Sequence, residues 1–406
     1  MTHRRHVVLL LPLVAALGLG GTVLAGSLPA GGAAPRERAP LPESEIRERD
    51  IAFYLARVGR DPDGALDRMH LASLYLQRAR ERGSETDLSR AEAAARGSLG
   101  RRRAHNTSAL AVLTGALLGQ HRFVEARDAA AELARLEPES AAARALLGEA
   151  LLELGEYAEA RRIFTALQSR RHDPAVAPRL ARWHELEGRV EEADRLLGDA
   201  RERALALHAL PREQRAWFHL RVGDLALRYG RLGEAKAALE AGLAESPDDH
   251  RLLAARARLA AEGGDWRGAI AYGNRALAGA FDPATLGLLA DAHLALGDTA
   301  AAAEQERVMD VALLGQTGPF HRAWSLHLLD RGRHVPQVLA RAEAELSTRR
   351  DVYGWDVYAW ALFQAGRHAE AAAAMDRARA LGTRDPLFEH HARAINAAAV
   401  AADEAP

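Results

Sequence analysis

The sequence predicts an all-α protein, an α-solenoid of about nine stacked helix pairs. Three observations lead there. A pattern recurs with a period of about 34 residues, and units of that length cannot each bury a core alone, so they stack. In one copy Gly148 stands seven residues before Gly155, and Tyr157, Ala160 and Phe164 follow. The same order returns as Gly223, Gly230, Leu232, Ala235 and Leu239, and again as Ala359, Gly366, His368, Ala371 and Met375. Second, hydrophobic residues make up 48% of the chain but aromatics only 5%, so the apolar mass is largely Ala and Leu. That composition favours close-packed helices over sheets. Third, Pro138, Pro174, Pro247 and Pro283 fall where one helix should stop and the next begin.

The elements follow in order. Residues 1–25 have the layout of a signal peptide: a basic start (Arg4, Arg5), an apolar run from Val7, and small residues at Val23 and Ala25. An uncleaved anchor over residues 7–28 is the alternative, weakened by Pro12 and four glycines. Residues 26–43 read as a flexible linker rich in Pro, Gly and Ala. A capping helix is expected over 44–62, with Ser44 as its N-cap and Asp61-Pro62 as its stop. The repeat array spans 65–385. Its pairs are placed at 65–103, 107–140, 141–173, 174–207, 216–249, 250–282, 283–316, 318–351 and 352–385. Turns are expected at His121, Gly155, Gly188, Gly230, Gly264, Gly297, Gly332 and Gly366. Extra residues from Leu205 to Pro211 interrupt the period, and the pair at 318–351 fits the pattern poorly. A closing helix over 386–402 covers the last apolar face.

Charge and chemistry exclude several classes. Net charge is -1, so neither nucleic acid nor an acidic membrane surface is indicated. Lys236 is the single lysine against 53 arginines. Without cysteine there is no disulfide, thiolate metal site or cysteine nucleophile. A phosphate-binding loop needs Gly-Lys, which is absent, and neither a zinc-protease nor a serine-hydrolase motif occurs. The seventeen histidines contain no i, i+4 pair. No catalytic, cofactor or metal residue is assigned, no cofactor is expected, and the chain is expected not to be an enzyme.

The motifs resemble the tetratricopeptide (TPR) repeat family in its exported, bacterial form. Its pattern is W-x2-L-G-x2-Y, then A-x3-F, then P. Leu147-Gly148-x2-Leu151 with Ala160-x3-Phe164 fits it, as does Trp355-x2-Tyr358-Ala359-x2-Leu362 with Ala371-x3-Met375. The resemblance covers about nine units, from Ala65 to Asp385. It implies a right-handed superhelix whose first helices line a concave groove for a peptide or a partner helix. Carried over residue by residue, the groove would be lined by Arg179, Arg182, Glu185, Arg221, Asp224, Arg228, Arg251, Arg258 and Glu262. At the C-terminal end Tyr353, Asp356, Trp360 and Phe363 would line it. Packing positions are the competing reading for Trp360 and Phe363. The lysine-and-asparagine clamp that some members use for peptide carboxylates is missing here.

The expected function is a non-enzymatic protein-interaction scaffold or adaptor for an envelope or secreted partner, exported to the periplasm or beyond. Its partner is expected to be a protein segment or helix, with no nucleic acid, and membrane contact only if the N-terminal segment stays uncleaved. Two alternatives are a self-assembling structural array and an accessory subunit of an envelope enzyme complex. On this reading, reversing Arg221 and Arg228 to Glu weakens partner binding without unfolding the array, and Gly148→Leu overpacks a helix crossing.

Overall fold

The computed structural model describes residues 41–314 and 322–403. The expected signal segment and most of the linker lie outside these residues. So does the start of the pair at 318–351. Among the described residues there are twenty α-helices and no strand. The chain opens with α1 (Glu43–Arg60). Pairs follow as α2 (Ala65–Arg82) and α3 (Glu85–Arg101), α4 (Thr107–Gly119) and α5 (Phe123–Leu136), and α6 (Ala141–Leu154) and α7 (Tyr157–Ala166). The middle holds α8 (Ala177–Leu186) with α9 (Val190–Leu205), α10 (Arg212–Arg228) with α11 (Leu232–Glu245), and α12 (His250–Glu262) with α13 (Trp266–Gly279). Then come α14 (Pro283–Ala295) with α15 (Thr299–Leu314), α16 (Arg322–Asp330) with α17 (Val335–Glu345), and α18 (Val352–Gln364) with α19 (His368–Arg379). Helix α20 (Pro386–Asp403) ends the described chain.

Local chemistry sets these boundaries. Ser84, Ser140, Asp249, Asp265, Asp282 and Asp351 each accept a hydrogen bond from a first-turn N–H of the helix they precede. Between the two helices of a pair the chain passes through the left-handed region, at Gly155 (φ 76°) and at His121 (φ 57°) alike. Two expectations are corrected. Ser44 is not an N-cap; α1 begins one residue earlier, after Pro42, and has no side-chain cap. The fifth pair begins at Arg212, not at 216, because Pro211 pre-sets the helix entry.

Within a pair, a small residue on the first helix meets a large one sixteen positions later on the second. A Cβ added at Gly148 would lie 2.7 Å from the ring of Phe164, and one at Gly223 would lie 2.7 Å from Leu239. Ala359 and Met375 occupy the same relation, both buried. Gly148→Leu therefore forces Phe164 out of its place, and overpacking of this kind costs about 1–3 kcal/mol.

The coil then closes on itself, which the repeat pattern does not announce. The Arg350 N–H donates to the carbonyl of Leu154 (3.0 Å), and the Val352 N–H donates to the Tyr157 hydroxyl (2.8 Å). Arg349 reaches the Glu153 carbonyl (3.1 Å) and carboxylate (3.4 Å). The Thr383 hydroxyl donates to the Leu186 carbonyl (2.6 Å), and Arg384 stands 3.8 Å from Glu191. Nearer the N-terminus, Gln77 bonds Glu213 (3.2 Å), the Arg212 N–H bonds Glu43 (3.2 Å), and Gly83 lies against His250 and Ala280. Successive turns of the superhelix thus touch along their edges.

Gly188 makes that contact possible. A Cβ there would overlap the Gly382 carbonyl of the next turn, and φ is 73°. Gly230 has the same backbone conformation (φ 74°) with open space around it. Replacing each by Ala separates the two effects: both variants carry left-handed strain of about 1 kcal/mol, and only Gly188→Ala also loses the turn-to-turn contact. Denaturant unfolding should show the larger loss at Gly188. Equal losses would mean that the turns do not touch there.

Candidate functional site: an arginine cluster on the coil axis

Closure brings the first helices of distant pairs around one axis. Arg80 of α2, Glu149 of α6, Arg179 and Arg182 of α8, Glu213 and Arg221 of α10, Arg251 of α12 and Tyr353 of α18 share one electrostatic neighbourhood. Arg80, Arg182, Arg221, Arg251 and Arg322 are enclosed by protein yet keep part of their surface in solvent.

Most of this charge is satisfied inside the fold. Arg179 bonds Glu149 (2.7 Å) and the Ala175 carbonyl (2.6 Å). Arg251 bridges Asp249 (2.6 Å) and Glu213 (2.7 Å). Asp249 is largely buried, which alone would raise its pKa, but Arg251 holds its carboxyl below the ordinary value. Arg258 pairs with Asp224 (2.6 Å). Arg182 donates to the Tyr353 hydroxyl (2.9 Å), and Arg182 and Arg322 both lie 4.8 Å from the Tyr353 ring centre.

These positions correct the groove expected from the resemblance. Arg179, Glu185 and Arg228 are buried, and Arg228 is paired with Glu185 in the interior. Arg228→Glu would set two buried carboxylates together, so it destabilises the fold and cannot serve as a silent binding variant. A lowered denaturation midpoint for that variant is the expected result.

The aromatic end is not open either. Tyr353, Asp356 and Trp360 are buried beneath α20. Trp360 stacks on His391 (ring centres 4.2 Å apart) and on Phe363 (4.8 Å), and its Nε1–H donates to Asp330 (2.9 Å). His391 Nδ1 donates to Asp356 (2.6 Å), whose other oxygen takes Arg322 (2.7 Å). Burial would raise the Asp356 pKa, yet His391 and Arg322 together hold it below the ordinary value. These residues seal the end of the array. Phe363 is half-buried against Trp360. Of the expected lining, Arg182, Arg221, Asp224, Arg251, Arg258 and Glu262 keep partial exposure.

Sequence reading missed Arg80, Glu149, Glu213 and Arg322. It took the groove from the middle and last pairs, whereas Arg80 reaches the axis only because the coil closes. Arg322 opens the pair with the weakest repeat signal.

A second feature is a cleft of about 540 Å³ between α7 and α8–α9, lined by Arg161, Gln168, Trp183, His184 and Glu192 among others. Arg161 lies 5.6 Å from the Trp183 ring centre, and Gln168 Nε2 is 3.3 Å from His184 Nε2. No group of three metal-ligating side chains is found among the described residues.

Repeated helix pairs and an enclosed axis define the class: an α-solenoid. The family follows from comparison with known proteins. Residues 117–182 match the model of the tetratricopeptide repeat family, and the helix pairs on either side continue the same helix-pair architecture. Proteins of that family are in general protein-interaction scaffolds. Comparison with curated proteins finds no match. Among solved structures, PilF of Pseudomonas aeruginosa is 20% identical over 52% of this chain and 93% of its own, with a TM-score of 0.41. The human IFIT1 dimer is 16% identical over 78% of this chain and 72% of its own, with a TM-score of 0.49. YrrB, described as a TPR protein with an unusual peptide-binding site, is 18% identical over 50% of this chain and 96% of its own, with a TM-score of 0.29. None of these likenesses assigns a partner to this chain.

The cleft yields a pH prediction. Burial, with Arg189 adding to it, lowers the pKa of His184 from 6.5 to about 4. Burial also lowers those of His219 and His250. Below 6.5 an unfolded chain takes up protons that the folded chain refuses, so stability is full above that pH and falls as pH drops towards 4. Thermal midpoints across this window should decline on acidification. His184→Gln should flatten part of the decline, and an unchanged slope would contradict the assignment.

Proposed function

We propose that the chain is a non-enzymatic scaffold that takes an extended segment of a partner protein along its coil axis. The observation that carries this reading is the set of half-exposed arginines on first helices, enclosed by the coil yet in contact with solvent. Arginine is a favoured interface anchor because its planar fork gives directional bonds. Export belongs to the proposal and rests on the layout of residues 1–25; the intact mass of the chain recovered from its host would show the cleavage.

An unbiased array of extended peptides, probed with the full chain, tests the reading. Retention of a restricted set of peptides is the expected result, and no retention of any peptide would overturn it. One observation favours self-assembly as a second reading. Phe281, Leu294, Leu296 and Val311, around α14 and α15, are exposed apolar side chains. A mass that rises with concentration would support that alternative.

A further inference from the structure

Two arginines on the axis stand outside the pairing that satisfies their neighbours. Arg80 has no hydrogen-bond or ion-pair partner among the described residues. The carboxylates that attract it are already engaged, Glu213 by Arg251 (2.7 Å) and Glu149 by Arg179 (2.7 Å). Arg221 likewise makes no hydrogen bond or ion pair there; its guanidinium carbon lies 6.0 Å from the Trp217 ring centre. The nearby Asp224 is held by Arg258 (2.6 Å). An enclosed cation without a counter-ion is unfavourable. Burial depresses the pKa of both arginines. The like charges of Arg251 and Arg179 add to this at Arg80, and that of Arg182 adds to it at Arg221. The Gln77–Glu213 bond (3.2 Å) joins α2 to α10, so the two arginines stand on adjoining first helices, and Glu149 lies in the electrostatic reach of both.

We propose that this face of α2 and α10 binds an acidic peptide segment, with side-chain carboxylates seated on Arg80 and Arg221. The proposal rests on the reading of the chain as a peptide-binding scaffold and names the chemistry of the peptide. A guanidinium fork pairs with a carboxylate through two parallel N–H···O bonds, and a bound anion would supply the counter-charge that the fold leaves out. Glu149, Glu153 and Glu213 occupy the same region and disfavour nucleic acid: a continuous phosphate chain would meet them at each step. A peptide can place its carboxylates at intervals and pass these acids with neutral residues. The net charge of -1 gives no long-range pull on a polyanion, so recognition has to be local.

The test uses the full chain, a fluorescent oligoglutamate peptide, an oligoglutamine control and an oligothymidylate strand. Oligoglutamate should bind in a salt-sensitive manner, and the control should not. The double variant Arg80→Gln, Arg221→Gln should weaken oligoglutamate binding by about tenfold or more. Its thermal midpoint should stay level or rise, because no native hydrogen bond or ion pair is lost. Unchanged affinity in the variant would overturn the proposal, as would tighter binding of oligothymidylate than of oligoglutamate. A fall in midpoint without a change in affinity would make the two arginines structural and overturn it too. On the unbiased peptide array, retained sequences rich in Asp and Glu support the inference. A retained set of neutral or basic sequences would overturn the inference and leave the scaffold reading standing.

Discussion

The close crossing of the two helices in each pair is the constraint on which the rest of the structure depends. Gly148 against Phe164, and Gly223 against Leu239, let the helices approach until a large side chain fills the space that the glycine leaves. Interiors pack densely enough that this contact admits little variation. Repeated along the chain, it fixes the rotation from one pair to the next, and that rotation decides whether the turns of the coil meet. Here they meet: Leu154 bonds Arg350, and Leu186 bonds Thr383. A larger residue at a crossing would therefore act far from its own position, because it would alter the pitch that brings these edges together.

Closure has an electrostatic consequence. First helices that would line an open, hydrated groove instead surround a common axis, and their charges lose part of their contact with water. Most of them find partners across pairs, as Arg179 does with Glu149 and Arg322 with Asp356. Such pairs specify how neighbours dock more than they stabilise, since desolvation offsets much of their attraction. Among the described residues, Arg80 and Arg221 keep no hydrogen-bond or ion-pair partner. The same closure that builds the interior thus leaves a local surplus of positive charge within it, and that surplus makes the axis more than a structural seam.

Much of this fold was legible in the sequence. Turn glycines and the spacing of small and large residues report local geometry, and local geometry is what a repeat encodes. The helix pairs follow from Gly155, Ala160 and Phe164 alone. Closure was not legible, because the contact between Gly188 and Gly382 joins segments that share no local pattern and depends on a rotation summed over several pairs. For the same reason the groove residues were read in part. Arg182, Arg221 and Arg251 do reach the axis, but Arg228 and Trp360 have the same helical phase and are buried, Arg228 by its pairing with Glu185 and Trp360 by the cover of α20. Position on a helix face predicts which way a residue points, and only the tertiary fold decides what lies opposite.

The claim most in need of direct measurement is that the turns of the coil touch. The chain has no cysteine, so Glu191→Cys with Arg384→Cys offers a unique pair of labelling sites, both exposed and on opposite edges of the contact. Pulsed electron paramagnetic resonance on spin labels at these positions, in dilute solution of the full chain, reads their separation. A single short and narrow distance is the predicted result. A long or broad distribution would mean that the solenoid is open, with a wide groove in place of an enclosed axis, and would contradict this account at its root.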